Sequence, residues 1–166
     1  MNNRQLVMMK ARVKTLHGKQ AIAAIEKKEG RKLSYKECRV VVLEGYVDGI
    51  YTDTKGIKTS GVGQTGKWIK KSFEESFKYH EELTVKLVPS YHKLSEELQA
   101  ELVQSTYRGD LGLSPNAVAL FNKGKYTEAA REFLRNKEYE NEHTPKQIKE
   151  RMLATANAMA ACEVVV

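Results

Sequence analysis

The stretch that decides the fold runs from Leu43 to Thr65 and reads LEGYVDGIYTDTKGIKTSGVGQT. It contains two carboxylates in different settings. Glu44 closes the apolar run 40–43, whereas Asp53 lies among hydroxyl groups and glycines. Because desolvation favours the neutral acid, we expect Glu44 to hold a proton near neutral pH and Asp53 to stay ionised. Thr59 follows at a distance that suits the return strand of a tight hairpin.

An acid, an ionised carboxylate and a hydroxyl that holds a water are the components of an inverting glycosidase. The spacing also resembles a known family. Eight residues separate Glu44 from Asp53, and five separate Asp53 from Thr59, as in the phage-type lysozymes of glycoside hydrolase family 24. Further residues of this stretch stand where the family signature has them: Gly45, Tyr51, Gly56, Gly61, Gly63 and Thr65.

The resemblance implies a fold and an activity. The fold is α+β and mainly α, with a small β-hairpin lobe and a larger helical lobe joined by a long helix. The activity is cleavage, with inversion, of the β-1,4 bond between N-acetylmuramic acid and N-acetylglucosamine in peptidoglycan. Glu44 would protonate the glycosidic oxygen, Asp53 would stabilise positive charge at the anomeric carbon, and Thr59 would hold the attacking water. No metal or organic cofactor is implied.

The same resemblance implies substrate-binding residues, with two departures from the family pattern. Tyr51, Gly63 and Gln64 belong to the small lobe, and Gln64 stands where the family has a histidine. In the helical lobe, Thr106 and Tyr107 hold places usually taken by an aromatic residue and an amide. Arg151 falls close to a basic residue that neighbours the catalytic glutamate in the family.

The resemblance does not cover residues 1–33, which we predict as a helical extension that packs on the lysozyme-like domain 34–166 or docks to a virion. Apolar residues at helical spacing predict a helix from Asn3 to Lys28, with a possible break at Gly18. Ser34 and Glu37 form a capping box that opens the helix ending at Glu44, and Gly45 is placed to terminate it. The small lobe covers about residues 45–66.

The remainder, about residues 67–162, is predicted to be helical. A long helix begins near Trp68 and stops before Pro89, and Ser95 caps the next one. Further helices are predicted after Ser114-Pro115, from a Thr127 cap to Asn136, and after Thr144-Pro145.

The net charge of +7 predicts an anionic partner, either nucleic acid or a bacterial envelope. No zinc-ligand spacing, RNA-binding signature or Walker loop accompanies the charge, so no specific nucleic acid is predicted. No apolar run is long enough to cross a membrane, and a signal-peptide core is missing. We therefore expect synthesis in a host cytoplasm and action on the wall after release, or from within a virion.

Three functions compete at this stage. The first is an active muramidase, acting as an endolysin or carried in a virion. The second is a non-catalytic wall-binding or virion structural relative, which the departures at Gln64 and Tyr107 favour. The third is a basic helical nucleic-acid-binding protein, which charge alone supports. We expect a monomer whose two cysteines, Cys38 and Cys162, are reduced.

Overall fold

The computed structural model describes residues 14–53 and 55–162 and divides the chain into two compact units, Met1–Lys78 and Tyr79–Val166. The predicted domain boundary after residue 33 stays a prediction. The strands are β1 (Lys14–Leu16), β2 (Tyr46–Thr52), β3 (Lys58–Gly61) and β4 (Gln64–Thr65). The α-helices are α1 (Gly18–Glu29), α2 (Tyr35–Glu44), α3 (Phe73–Leu87), α4 (Glu96–Arg108), α5 (Pro115–Asn122), α6 (Tyr126–Leu134), α7 (Lys137–Glu140) and α8 (Lys146–Ala160).

The first unit contains an antiparallel sheet in the order β1-β2-β3-β4. The predicted hairpin is confirmed, with Tyr51 opposite Thr59 and Thr52 opposite Lys58. The predicted helix is wrong for Lys14–Leu16, because these residues pair with the start of β2 and obtain from it the backbone hydrogen bonds that a helix would have supplied. Its earlier part, residues 3–13, lies outside the described residues.

Helix α2 carries Glu44 at its last position, as predicted. Ser34 Oγ accepts a hydrogen bond from the Glu37 N–H, and Glu37 Oε1 accepts one from the Ser34 N–H. At the other end Gly45 has a φ of 75°, a left-handed conformation that favours glycine. Local capping therefore fixes both ends of the helix.

An ion cluster around Arg31 joins three helix ends of the first unit. Its guanidinium donates to Glu29 at 3.0 Å and to Glu37 at 2.6 Å, and it lies 3.3 Å from Glu74. The hydrogen bond to Glu37 raises the pKa of Arg31, and the charges of Glu37 and Glu29 act in the same direction. Glu29 also accepts the N–H of Phe73, the first residue of α3. The cluster thus links α1, α2 and the start of α3.

The helix predicted from Trp68 begins later. Residues Gly66–Lys70 form a 3-10 helix, and α3 starts at Phe73. The reason is a second capping box. Ser72 Oγ accepts the Glu75 N–H at 3.1 Å, and Glu75 Oε2 accepts the Ser72 N–H at 3.2 Å. The predicted stop before Pro89 is confirmed.

The second unit is helical and has its own apolar core. Ser95 caps α4 as predicted by accepting the Leu98 N–H. Thr127 is not a cap, because α6 already begins at Tyr126, and Thr144 donates to the Glu138 carbonyl instead of capping α8. The core consists of Val88, Leu94, Leu98, Leu102, Leu111, Ala117, Val118, Phe121, Ala129, Ala130, Phe133, Met152, Ala156 and Met159.

Within residues 14–53 and 55–162, no helix combines the length and apolar character needed to span a membrane. Cys38 and Cys162 are both free thiols. Burial raises the pKa of Cys38, and the charges of Glu26 and Glu37 raise it further.

Replacement of Arg31 by leucine should lower the free energy of unfolding of the first unit by about 2–4 kcal/mol, because Glu29 and Glu37 would lose a partly buried cationic partner. The fluorescence of the single tryptophan, Trp68, reports on this unit during urea unfolding. The exposed neighbour Lys32→Leu is the matched control and should change the value by less than about 0.5 kcal/mol. Equal effects of the two substitutions would contradict the importance of the cluster.

Cys38 should react with iodoacetamide only at a higher pH than an unstructured thiol, because its raised pKa keeps the reactive thiolate scarce. The stability that its bound proton contributes is fully present below the ordinary thiol pKa and is lost as the pH rises through the raised one. Alkylation rates of a Cys162→Ser variant against pH, beside a short cysteine peptide, measure this shift. An apparent pKa of Cys38 at or below that of the peptide thiol would contradict it.

Candidate active site

Glu44 ends α2 with its carboxylate against the turn between β3 and β4. A Cβ added to Gly63 would lie 2.7 Å from Glu44 Oε2, and Gly63 has a φ of 58°. Both the close approach and the left-handed backbone require glycine at this position. We predicted Gly63 as a substrate-binding residue from the sequence. The structure places it directly beside the predicted acid.

Asp53 lies at the end of β2, where its side chain holds the hairpin turn. Its Oδ1 accepts the N–H groups of Lys55 at 2.9 Å and Ile57 at 2.8 Å, while its own N–H donates to the Ile57 carbonyl. One carboxylate oxygen is therefore used by the turn, and the side chain is fixed in direction. Such self-bonding is typical of aspartate in turns.

Tyr51 links the two carboxylates electrostatically. Burial raises the pKa of its half-buried phenol, and the charges of Asp53 and Glu44 raise it further, in that order. A charge acts in this way only on a group close to it. All three residues belong to the first unit. The phenol stays protonated, and so a hydrogen-bond donor, well beyond neutral pH.

Thr59 occupies the middle of the sheet. It pairs with Tyr51 on β2 and with Thr65 on β4, and it is only 5% exposed. Its hydroxyl donates to the Ile57 carbonyl at 3.3 Å, in the same turn that Asp53 holds. The predicted role of Thr59 in holding a water stays a prediction.

Gln64 faces the interior of the first unit and is 5% exposed. Its Nε2 donates to the carbonyls of Trp68 and Lys71, both at 2.9 Å, and its Oε1 accepts the Val62 N–H at 3.2 Å. A neutral amide thus binds both sides of the turn that contains Gly63. In this structure Gln64 is a buried residue that holds the backbone of this turn in place.

The other predicted binding residues lie in the second unit. Thr106 is 3% exposed, and its hydroxyl donates to the Leu102 carbonyl and accepts from Thr84, so it serves the packing of α3 and α4. Tyr107 is half-buried, with its ring centroid 4.6 Å from that of His80.

Arg151 is 5% exposed. Its Nε donates to the Gln104 side-chain oxygen at 2.6 Å, and its Nη2 donates to the Gln104 backbone carbonyl at 2.9 Å. Gln104 Nε2 in turn donates to Thr155 at 2.7 Å. This buried polar cluster is not predicted from the sequence. The buried polar residues Ser105 and Thr106 follow Gln104 directly in α4, so residue type alone does not single out this cluster in the sequence.

Among the described residues, no group of histidine, cysteine, aspartate and glutamate is arranged to hold a metal ion. The predicted site residues of the first unit carry two carboxyl groups, a phenol and a hydroxyl. Groups of these types can transfer protons and stabilise positive charge on a substrate.

No protein-family model matches the sequence, and no curated protein matches it. The fold is similar to that of a solved structure, the crystal structure of the active form of the P1 phage endolysin Lyz. The TM-score is 0.57 and the sequence identity is 10%. The match covers 84% of this chain and 91% of that chain. The fold is lysozyme-like. The predicted α+β, mainly α fold class is thereby confirmed.

Gly63→Ala should displace the Glu44 carboxylate, because the new methyl group would occupy its place. Gly66→Ala is a matched control, since Gly66 has a similar φ of 55° but no atom within 4 Å of the added carbon. Both variants should lose about 1–2 kcal/mol of unfolding free energy through backbone strain. Only Gly63→Ala should shift the carboxyl carbon signal of Glu44 in NMR spectra. Equal shifts in both variants, or none, would refute the contact.

Proposed function

We propose that this protein is a peptidoglycan hydrolase of the phage-type lysozyme family, glycoside hydrolase family 24. The observation that carries the proposal is the position of the Glu44 carboxylate against the Gly63 turn of the sheet whose hairpin Asp53 closes, within a chain of lysozyme-like fold. The similar P1 protein is an endolysin by name. The bond cleaved would be the β-1,4 bond between N-acetylmuramic acid and N-acetylglucosamine.

In the proposed mechanism Glu44 is the general acid. It protonates the glycosidic oxygen as the bond to the anomeric carbon breaks, and the leaving sugar departs as an alcohol. Asp53 stabilises the positive charge that develops on the ring, using the oxygen that the hairpin turn does not hold. Thr59 holds the water that attacks the opposite face, which inverts the configuration.

The remaining residues bind the saccharide or support those that do. The protonated Tyr51 donates a hydrogen bond to a sugar hydroxyl between the two carboxylates. Gly63 leaves room for Glu44, and Gln64 fixes the turn around Gly63. On the sequence resemblance, Tyr107 offers an aromatic face to a sugar ring. Thr106 and Arg151, which are buried and hydrogen-bonded within the second unit, would support that lobe from its interior.

The proposed setting follows from the activity and the charge. The protein is made in a host cytoplasm and reaches the periplasm or wall after release, either as an endolysin or from a virion to which residues 1–33 dock. It works as a monomer on peptidoglycan, attracted by the anionic envelope and needing no cofactor.

Glu44→Gln and Asp53→Asn should each reduce clearing in a peptidoglycan zymogram by at least about a hundredfold, because each removes one of the two carboxylate functions. Asp48→Asn is the control, since Asp48 is an exposed carboxylate of the same sheet. Proton NMR of the first product anomer tests inversion.

Undiminished clearing by Glu44→Gln would refute the assignment of the acid. A parent protein that sediments with walls but never clears them would be a non-catalytic wall-binding protein. Retention of DNA without wall clearing would favour a nucleic-acid-binding function instead.

A further inference from the structure

The positive charge of the chain belongs to its first unit. Residues 1–78 contain 17 lysines and arginines against 8 aspartates and glutamates, a net charge of +9. Residues 79–166 contain 11 against 13, a net charge of −2. The overall net charge of +7 is therefore distributed very unevenly between the two units. An anionic partner would be attracted to the first unit.

Basic residues outnumber acidic ones by a larger factor on the surface of that unit than in its sequence. Among its described residues ten lysines are exposed, whereas only three carboxylates are: Asp48, Glu74 and Glu75. Several of the other acids are used internally. Glu29 and Glu37 bind Arg31, and Glu26 accepts the Leu33 N–H. The basic side chains are consequently exposed to solvent, while several acidic side chains are bonded to other groups of the protein.

One part of this surface is built as a rigid platform, which we call the lysine segment (residues 66–71, GKWIKK). Lys67, Lys70 and Lys71 are all exposed. Residues 66–70 form a 3-10 helix, in which side chains three residues apart eclipse each other, so Lys67 and Lys70 project from the same side. The Lys67 ammonium lies 4.9 Å from the centre of the Trp68 ring.

Buried side chains of the sheet hold the backbone of the lysine segment. Gln64 Nε2 binds the carbonyls of Trp68 and Lys71, and Ser60 Oγ donates to the Ile69 carbonyl at 3.3 Å. Both anchoring residues are at least nine-tenths buried. The lysines are thus presented from a fixed backbone, which reduces the entropy lost when they bind a partner.

The carboxylates that follow the segment are engaged elsewhere. Glu74 forms an ion pair with Arg31 at 3.3 Å. Glu75 accepts the Ser72 N–H in the capping box of α3. Neither of these contacts is to a lysine of the segment.

We propose that the lysine segment is the centre of a binding site for a linear, phosphate-bearing polymer of the bacterial envelope. Lysine ammonium groups bind phosphates as point charges, and several contacts along one polymer gain free energy by releasing its counterions. The segment presents no large exposed apolar side chain to insert into a lipid surface, since Trp68 and Ile69 are half-buried. The envelope source rests on the proposed function.

The location gives such binding a use. Gln64 binds the lysine segment through its Nε2 and the turn that carries Gly63 through its Oε1. Glu44 contacts this turn at Gly63, so both the segment and Glu44 lie next to groups that Gln64 holds. A polymer bound there would retain the protein on the wall close to the bond to be cleaved. The site deepens the proposed activity by adding an anchor on the substrate.

Binding can be measured with the Glu44→Gln chain, in which turnover is blocked. The probes are purified walls with their phosphate polymers and the same walls after hydrofluoric acid has removed the phosphates. Cosedimentation gives the affinity, and the fluorescence of Trp68 reports contact at the segment. We expect affinity to fall by about tenfold or more when the phosphates are removed, and to fall with added salt.

Two triple charge reversals of equal net charge locate the site. The segment variant is Lys67→Glu, Lys70→Glu, Lys71→Glu, and the control in the second unit is Lys123→Glu, Lys125→Glu, Lys137→Glu, all at exposed positions. The affinity of the segment variant should fall by about tenfold or more. The slope of its log affinity against log salt concentration should become shallower by the equivalent of about three phosphate contacts. The control should bind nearly as the parent does. A glutamine triple at the segment, with circular dichroism spectra of all variants, separates lost charge from lost folding.

Equal losses in the two reversal variants would overturn the proposal, and so would unchanged binding after phosphate removal. Tighter binding to duplex DNA or to vesicles of anionic lipid would also overturn it. A chain that binds phosphate-bearing walls but never hydrolyses peptidoglycan would refute the proposed function and leave this inference standing. A chain that hydrolyses walls but ignores their phosphates would refute this inference alone.

Discussion

The candidate site depends on the side-chain amide of Gln64. Three hydrogen bonds of this buried group tie Val62 on one side of the β3–β4 turn to Trp68 and Lys71 beyond it. A buried amide that loses a partner costs about 1–3 kcal/mol, so the turn and the amide stabilise each other. Gly63 sits within this turn against Glu44, and the lysine segment begins directly after it. The proposed acid and the proposed anchor therefore share one support.

The two carboxylates are positioned by different means. Glu44 is carried by a helix whose start is fixed by the Ser34–Glu37 capping box and by the Arg31 cluster. Asp53 is carried by a hairpin turn that it closes with its own oxygen. Tyr51 lies on β2 two residues before Asp53, and its position is held by the pairing with Thr59. Helix, turn and sheet thus each carry one residue of the proposed site.

Features governed by near neighbours could be predicted from the sequence. The capping box at Ser34, the helix end at Gly45 and the hairpin around Gly56 all rest on contacts within a few residues, where residue type dictates geometry. The strand Lys14–Leu16 could not be predicted, because its partner lies about thirty residues away and its apolar spacing fits a helix equally well. The interior roles of Gln64 and Thr106 were hidden for the same reason. A polar residue shows its chemistry in a sequence but not the direction that its side chain takes.

The hairpin turn makes the two oxygens of Asp53 unequal. Oδ1 accepts the two N–H groups that close the turn, while the other oxygen is the one that the proposed mechanism uses. An asparagine can keep the architectural oxygen and give up only the charge, whereas an alanine would release the loop as well. On the proposed mechanism, exchanging one oxygen of Asp53 for an amide nitrogen would therefore yield an inactive protein that keeps its shape. Such a form would be suited to serve as a reagent that labels bacterial walls without dissolving them.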